Sequence, residues 1–227
     1  LMILCGYSQN ILKSDIFNIP KHGTWNMHAS DLPKYRGASP LNWAIINNEK
    51  KIGISIIQVD KTLDGGDIIG KVFLKLKKNE NIKTLTTKVN ILYPKILYKK
   101  IYELKKSSLK KKKQNPNRAT FFTRRLPTDS FLKFGLLSAE KIQKIINASV
   151  YPYPEAYFYF KKQKISVGPD TKILNNNYGI PGRIIKRDKR SITVICKNNS
   201  IKLNQLYKKG KVINPTKIKL RPGSDLM

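Results

Sequence analysis

Our prediction of the fold and function of the first half of the chain rests on the stretch Asn26-Met27-His28-Ala29-Ser30-Asp31-Leu32-Pro33-Lys34-Tyr35-Arg36-Gly37. If residues 26–28 end a strand, the two-residue spacing places Asn26 and His28 on the same face, directed into one cleft. Pro33 and Gly37 then turn the chain over that cleft. An amide can donate to a developing oxyanion, and an imidazole can transfer a proton near neutral pH. Spacing alone also fits an ordinary turn residue and a structural histidine.

A second candidate lies in the segment Thr62-Leu63-Asp64-Gly65-Gly66-Asp67-Ile68-Ile69, which follows an apolar run at residues 54–59. The adjacent glycines allow close backbone approach to a ligand and would leave the Asp64 carboxylate at a strand end. An Asp-Gly hairpin turn explains the same pattern. On chemistry alone, Asp60 and Asp67 could serve equally well.

The composition is typical of a soluble globular protein with two modest domains, since the chain has 227 residues and 40% of them are hydrophobic. No window approaches the roughly 18 apolar residues of a membrane span, so we expect no membrane insertion. Residues 1–6 lack the features of a secretory signal, and we interpret them as a buried strand. Cys5 and Cys196 lie far apart without metal-ligand spacing, which predicts neither a disulfide framework nor a metal site. We therefore expect a cytoplasmic protein.

The net charge of +31 has two explanations. Cationic side chains that neutralise phosphates drive binding to nucleic acid. However, only eight of the 45 basic residues are arginine, which leaves 45 − 8 = 37 lysines, and asparagine and isoleucine are also abundant. An AT-rich genome would impose this composition on any surface, and arginine is the better reader of phosphates and bases. The sequence leaves both explanations open, as it leaves the oligomeric state.

A lysine-rich segment divides the chain. Residues 105–117 combine like charges with Ser, Asn and Pro, which is typical of a solvated linker. We therefore predict an α/β domain at residues 1–104, a basic linker at 105–117 and a second domain at 118–227.

Strands and helices are expected at defined positions in both domains. In the first domain we predict strands at 1–5 and 53–59 and helices at 40–47 and 84–104, with Pro94 ending or kinking the second helix. In the second, Ser138 is expected to cap a helix at 139–147. Short strands at 157–160, 165–167, 183–185, 192–196 and 201–206, separated by turns, predict a small antiparallel OB-like barrel.

Taken together, the two motifs and the helix and strand between them resemble the formyltransferase family that uses 10-formyltetrahydrofolate. Members of that family formylate methionyl-tRNA, glycinamide ribonucleotide or nucleotide-linked amino sugars. The resemblance covers residues 6–69 and extends to the C-terminal domain through segments 119–122, 124–130 and 151–156. It implies a Rossmann-like catalytic domain whose N-terminal part is absent here, so we attribute activity to the complete protein.

The resemblance also implies roles for individual residues. Asn26, His28 and Asp64 correspond to the catalytic triad, acting by direct attack of a primary amine on the formyl carbon, without a metal. The folate is expected between residues 7–12 and the loop 60–64, and the residues implied in binding it are Tyr7, Gln9, Ile11, Leu12, Asp60 and Leu63. Ser30 and Arg36 are implied at the acceptor side, where they shape the loop and Arg36 could reach a phosphate.

The acceptor amine is the least defined part of the prediction. The runs at 36–45, 124–131 and 151–154 resemble the sugar-nucleotide enzymes, and we slightly favour an amino sugar. The alternative is initiator methionyl-tRNA, supported by the basic charge and by a C-terminal barrel of the kind that contacts tRNA. A third interpretation is a non-catalytic basic RNA-binding protein with the family fold.

Overall fold

The computed structural model describes residues 1–6, 12–175 and 177–226. It contains two compact units. The first comprises residues 1–44, 49–80 and 84–125, and the second comprises residues 45–48, 81–83 and 126–227. The first unit mixes helices with a sheet that includes a parallel strand pair, and the second is dominated by antiparallel strands. The predicted α/β fold class, followed by a smaller β domain, is confirmed.

The first unit is built on a four-stranded sheet. The helices and strands that lie wholly or mainly in this unit are, in chain order, β1 (Met2–Cys5), α1 (Ser14–Phe17), β2 (Thr24–His28), β3 (Arg36–Gly37), α2 (Pro40–Ile46), β4 (Lys51–Gln58), β5 (Ile68–Lys75), α3 (Ile82–Lys105) and β6 (Phe121–Phe122). The sheet order is β1-β2-β4-β5, and β1 and β2 run parallel. β4 is antiparallel to both of its neighbours.

Strand β4 lies inside this sheet because its sequence is apolar on both faces. Ile54 and Ile56 are fully buried, and so is Ser55 between them. A continuous apolar run of this kind is typical of a strand covered on both sides. The Ser55 hydroxyl donates to the Ser30 main-chain oxygen at 2.7 Å, which satisfies a polar group that burial would otherwise leave unpaired.

Helix α3 continues through Pro94 as one 24-residue helix, so of the two outcomes predicted there, an end or a kink, the helix end is excluded. Apolar residues on both sides of the proline, Tyr93 and Ile96, remain buried. Ile96 also lies close to Gly70 of β5, so the helix packs against the sheet at this point. Packing of the apolar face therefore outweighs the hydrogen bond that the proline removes.

The chain after α3 returns to the sheet. The main chain of Lys112 both donates to and accepts from Ile68, at 2.9 and 2.8 Å. The side chains of residues 110–113 are exposed, as expected of a solvated segment. Further on, β6 pairs in parallel with β3, so the first unit extends to residue 125, beyond the boundary expected from sequence at 117/118.

The second unit packs helix α4 (Ala139–Asn147) with two antiparallel sheets. As predicted, the Ser138 side chain caps the helix by accepting from the Lys141 amide at 3.2 Å. The strands are β7 (Ala156–Phe160), β8 (Gln163–Val167), β9 (Thr171–Leu174), β10 (Ile184–Arg187), β11 (Ile192–Ile195), β12 (Ser200–Leu203), β13 (Leu206–Lys208) and β14 (Lys211–Val212). The sheet orders are β10-β11-β12-β9 and β14-β13-β8-β7.

Across residues 1–6, 12–175 and 177–226, no helix combines the length and apolar character needed to cross a membrane.

Gly53 allows the loop that follows β2 to cross β4. A Cβ at this position would lie against the Cα of Asp31 and 2.7 Å from its nitrogen. Gly53→Ala should therefore destabilise the protein by about 1–3 kcal/mol, the usual effect of overpacking a fixed backbone contact. Urea denaturation measures the change.

Gly135→Ala is the matched control, because nothing lies within 4 Å of a Cβ built there. Its free energy of unfolding should stay within about 0.5 kcal/mol of the parent protein, the usual range for such surface changes. Equal stability of Gly53→Ala and Gly135→Ala would contradict the packing argument.

Candidate active site

Strand β2 carries Asn26 and His28 on one face, as the sequence predicts. Asn26 is in register with Leu4 of β1 and Ile57 of β4, and His28 is opposite Ser55. β2 ends at His28, and the chain then enters the loop that contains the cis Leu32–Pro33 peptide bond. His28 is 7% exposed and Asn26 is half-buried, so both side chains are largely shielded from solvent at the C-terminal end of β2.

The third predicted residue, Asp64, lies beside this pair. Its Oδ1 atom is 3.4 Å from the Asn26 amide nitrogen and 3.7 Å from His28 Nδ1. Its Oδ2 atom accepts a hydrogen bond from the Gly37 main-chain amide at 2.8 Å. The carboxylate therefore connects the two sequence motifs, with one oxygen held by the backbone and the other directed at the Asn and His side chains.

The hydrogen bonds of His28 define which ring nitrogen is available for chemistry. Its Nε2 lies 2.8 Å from the main-chain oxygen of Tyr35. A carbonyl only accepts hydrogen bonds, so Nε2 must carry a hydrogen, and Nδ1 holds the lone pair of the neutral ring. Nδ1 is the nitrogen that faces Asp64, so a proton taken up there would sit next to a carboxylate.

The turn that carries Asp64 is sterically constrained. Asp64 adopts a left-handed backbone conformation with φ of 48°, which aspartate tolerates better than most residues. At Gly66 a Cβ would collide with the main-chain oxygen of Gln58, so only glycine fits. The second glycine of the pair is thus explained by close packing on the backbone of Gln58, whereas a Cβ at Gly65 would meet the side chains of Thr62 and Arg36.

Ser30 and Arg36, expected at the acceptor side, are both buried. The Ser30 hydroxyl donates to the Lys34 main-chain oxygen at 2.9 Å and so helps to shape the loop. Arg36 is 7% exposed, donates to Gln114 Oε1 at 2.9 Å and lies over the Phe121 ring. Within the described part of the chain, Arg36 Nε has no hydrogen-bond partner. Contact of either residue with an acceptor stays a prediction.

The residues expected to contact folate are described only in part. Tyr7, Gln9 and Ile11 lie outside the described residues. Leu12 is half-buried ahead of α1, and the Leu63 side chain is 45% exposed beside Asp64. The Asp60 carboxylate accepts from the amide and hydroxyl of Thr62 at 2.8 and 2.6 Å, so it caps the loop.

Three groups near the site were not found from the sequence. The Gly37 amide binds Asp64, the Tyr35 carbonyl orients His28, and the Gln114 side chain contacts both the Asp64 turn and Arg36. The first two are backbone groups, so the residue type at 35 and 37 does not reveal which side chain each of them binds. Gln114 lies in the lysine-rich segment that sequence alone describes as a solvated linker.

Neither cysteine is one of the predicted site residues, although Cys5 is in register with Met27 of β2, between Asn26 and His28. Cys5 is exposed, and burial raises the pKa of the Cys196 thiol to about 12, with a further contribution from Glu140. Cys196 is therefore neutral at physiological pH and a poor nucleophile. Outside residues 7–11, 176 and 227, no group of three or more His, Cys, Asp and Glu side chains is arranged to hold a metal ion.

The two halves of the chain match two family models. Residues 1–101 match the formyl transferase model, and residues 126–219 match the formyl transferase C-terminal domain model. All three side chains Asn26, His28 and Asp64 fall within the first match.

Individual relatives agree with these matches. The chain is 32% identical over 218 residues to the bifunctional polymyxin resistance protein ArnA of Wigglesworthia glossinidia brevipalpis, covering 96% of this chain and 33% of that protein. It is 33% identical over 214 residues to the methionyl-tRNA formyltransferase of Alkaliphilus oremlandii, covering 93% of this chain and 67% of the relative. The chain thus spans between one third and two thirds of these proteins.

A solved structure shows the same fold at lower identity. WlaRD, a sugar 3N-formyl transferase solved in the presence of dTDP and 5-N-formyl-THF, superposes with a TM-score of 0.67 at 20% identity, covering 89% of this chain and 70% of that one. The chain therefore belongs to the formyltransferase family of formyl-transferring enzymes, since family models match both of its halves and a relative is 33% identical to it.

Proposed function

We propose that this chain provides the active site for direct transfer of a formyl group from 10-formyltetrahydrofolate to a primary amine, with Asn26, His28 and Asp64 as catalytic residues. The observation that carries the proposal is the convergence of the Asn26 amide and His28 Nδ1 on one carboxylate oxygen, at 3.4 and 3.7 Å. Family membership supports the reaction, and the geometry supports these residues as the reacting centre.

In the proposed reaction the acceptor nitrogen attacks the formyl carbon. A new carbon–nitrogen bond forms, the carbonyl oxygen becomes an oxyanion, and the bond to the folate nitrogen then breaks. The Asn26 amide and protonated His28 Nδ1 would donate to the oxyanion, since both occupy the same face of β2. The amine loses one proton and the folate nitrogen gains one, so the step is neutral overall. The Asp64 carboxylate stabilises the imidazolium between these transfers.

The folate donor is proposed to lie along Leu12, Asp60 and Leu63. The exposed Leu63 side chain offers an apolar surface next to Asp64 that a folate ring could cover. Tyr7, Gln9 and Ile11 complete the proposed set from sequence. A folate ligand in the sugar formyltransferase structure supports the same choice of donor for this chain.

For the acceptor we propose methionyl-tRNA, which reverses the slight preference from sequence analysis. The methionyl-tRNA formyltransferase relative matches this chain at 33% identity, across both the catalytic and the C-terminal domains. The net charge of +31 suits a polyanionic substrate, because each neutralised phosphate releases counterions. Arg36 is a candidate for a phosphate contact near the site.

A nucleotide-linked amino sugar is the second candidate acceptor. It is favoured by the sequence runs at 36–45, 124–131 and 151–154 and by the fold shared with a sugar 3N-formyl transferase. Both candidates present a primary amine to the same three side chains, so they differ only in what binds beyond the reacting atoms.

Substitution of the catalytic residues tests the reaction. His28→Ala and Asp64→Ala in the full-length protein should each lower kcat by about a hundredfold or more, because an oxyanion donor or its stabilising charge is lost. Turnover is measured with 10-formyltetrahydrofolate and saturating acceptor. Thermal unfolding should show that both variants remain folded.

His22→Ala is the control for the histidine variant, because His22 is exposed and lies before β2. It should turn over at the parental rate. Near-parental activity in either His28→Ala or Asp64→Ala would remove these residues from the proposed mechanism.

Parallel assays identify the acceptor. The full-length protein is given 10-formyltetrahydrofolate with either charged initiator methionyl-tRNA or a dTDP-linked amino sugar, and we expect formylation of the tRNA. Binding of that tRNA should weaken steeply with salt, by roughly one logarithmic unit of slope per phosphate contact. Formylation of the sugar alone, or a flat salt response, would replace the proposed acceptor by the second candidate.

A further inference from the structure

The Gln114 side chain makes three hydrogen bonds around the Asp64 turn, although it lies in a segment of exposed lysines. Its Nε2 donates to the main-chain oxygens of Asp64 and Gly66 at 2.8 and 2.7 Å. Its Oε1 accepts from Arg36 Nη2 at 2.9 Å. One half-buried amide thus satisfies two carbonyls of the turn and the guanidinium beside it.

These partners fix the orientation of the amide. Main-chain carbonyls can only accept and a guanidinium can only donate, so the Gln114 amide fits in one orientation and cannot flip. Glutamate would place an acceptor against two carbonyls, and lysine could not accept from Arg36. Glutamine is the unbranched side chain that offers two donors and an acceptor at this distance from the backbone.

Residues 111–114, which we call the strap, make hydrogen bonds with residues at both ends of the loop that carries Asp64. Lys111 Nζ donates to Gln58 Oε1 at 3.2 Å, at the end of β4. The Lys112 main chain pairs with Ile68, at the start of β5, through two hydrogen bonds. The loop 59–67 is therefore bounded on both sides by contacts with the strap, and Gln114 contacts its middle.

The position of Asp64 depends on this loop being held still. Its backbone is in the left-handed region, and the turn is closely packed, because a Cβ built at the adjacent Gly65 would lie against Thr62 Oγ1 and 3.0 Å from Arg36 Nη1. The carboxylate must also stay within hydrogen-bond reach of the Gly37 amide, now at 2.8 Å. A shift of about 1 Å would break that bond and move the charge away from His28.

We propose that Gln114 is a positioning residue for Asp64, holding the carboxylate in place against His28 through the backbone of the turn. The proposal rests on the proposed function only in assigning Asp64 a catalytic role. The mechanical part, that Gln114 fixes the turn, is independent of any reaction.

Amide hydrogen exchange tests the mechanical part without any activity measurement. In Gln114→Ala, the Gly37 amide and the amides of residues 64–67 should exchange at least tenfold faster, because the turn has lost two of its hydrogen bonds. Lys113→Ala is the matched control, since that side chain is exposed on the same strap. Equal exchange in Gln114→Ala and Lys113→Ala would overturn the proposal.

Kinetics test the catalytic part in the full-length protein. Gln114→Ala should lower kcat about tenfold or more with KM for folate changed less than threefold, while Lys113→Ala keeps both values. In an Asp64→Asn background the Gln114 substitution should have no further effect on kcat, because it acts through Asp64. Multiplicative losses in the double variant would overturn the positioning role.

If Gln114→Ala is unstable, Gln114→Glu tests the same proposal. Glutamate keeps the size of the side chain and an oxygen that accepts from Arg36, but it loses the two N–H donors to the turn. It should show the same faster exchange and lower kcat, and parental exchange in this variant would overturn the proposal. If the parent protein shows no folate-dependent formyl transfer, the proposed function is contradicted. The amide hydrogen exchange result then still decides whether Gln114 fixes the turn.

Discussion

The hydrogen bond from the Gly37 amide to the Asp64 carboxylate joins two segments that the sheet alone does not bring together. One oxygen of the carboxylate is committed to this backbone donor, so the other is left to face Asn26 and His28. Position 37 requires glycine, because its φ is 94° and a Cβ there would collide with the main-chain oxygen of Phe122. The geometry of the candidate site therefore depends on the backbone at Gly37 as well as on the side chains that face Asp64.

Much of the fold follows from the sequence, because it depends on local patterns of apolar residues. The buried run of β4 and the Ser138-capped helix α4 are at the positions predicted. The long helix α3 passes through Pro94, where an end or a kink was expected, since apolar residues on both sides of the proline remain buried. The return of the chain at Lys112 to pair with Ile68 gives no periodic signal, and only tertiary contacts reveal it.

The site was predictable to a similar degree. Two-residue spacing placed Asn26 and His28 on one face, and the structure has them there. Chemistry alone could not choose among the nearby aspartates; the structure shows Asp60 capping its own loop and Asp64 reaching the histidine. Gln114 was missed because it lies in a lysine-rich segment that is typical of a solvated linker. Its three hydrogen-bond partners, two carbonyls and a guanidinium, come together only in the folded chain.

The most direct test of the catalytic assignment is a structure of the full-length protein with bound 5-formyltetrahydrofolate, a stable isomer of the proposed donor. We expect its pterin ring beside Leu63 and the formyl-bearing edge within about 4 Å of Asn26 Nδ2 and His28 Nδ1, close enough for hydrogen bonding once the amine attacks. A folate bound with that edge remote from both nitrogens would contradict the proposal that Asn26, His28 and Asp64 form the reacting centre.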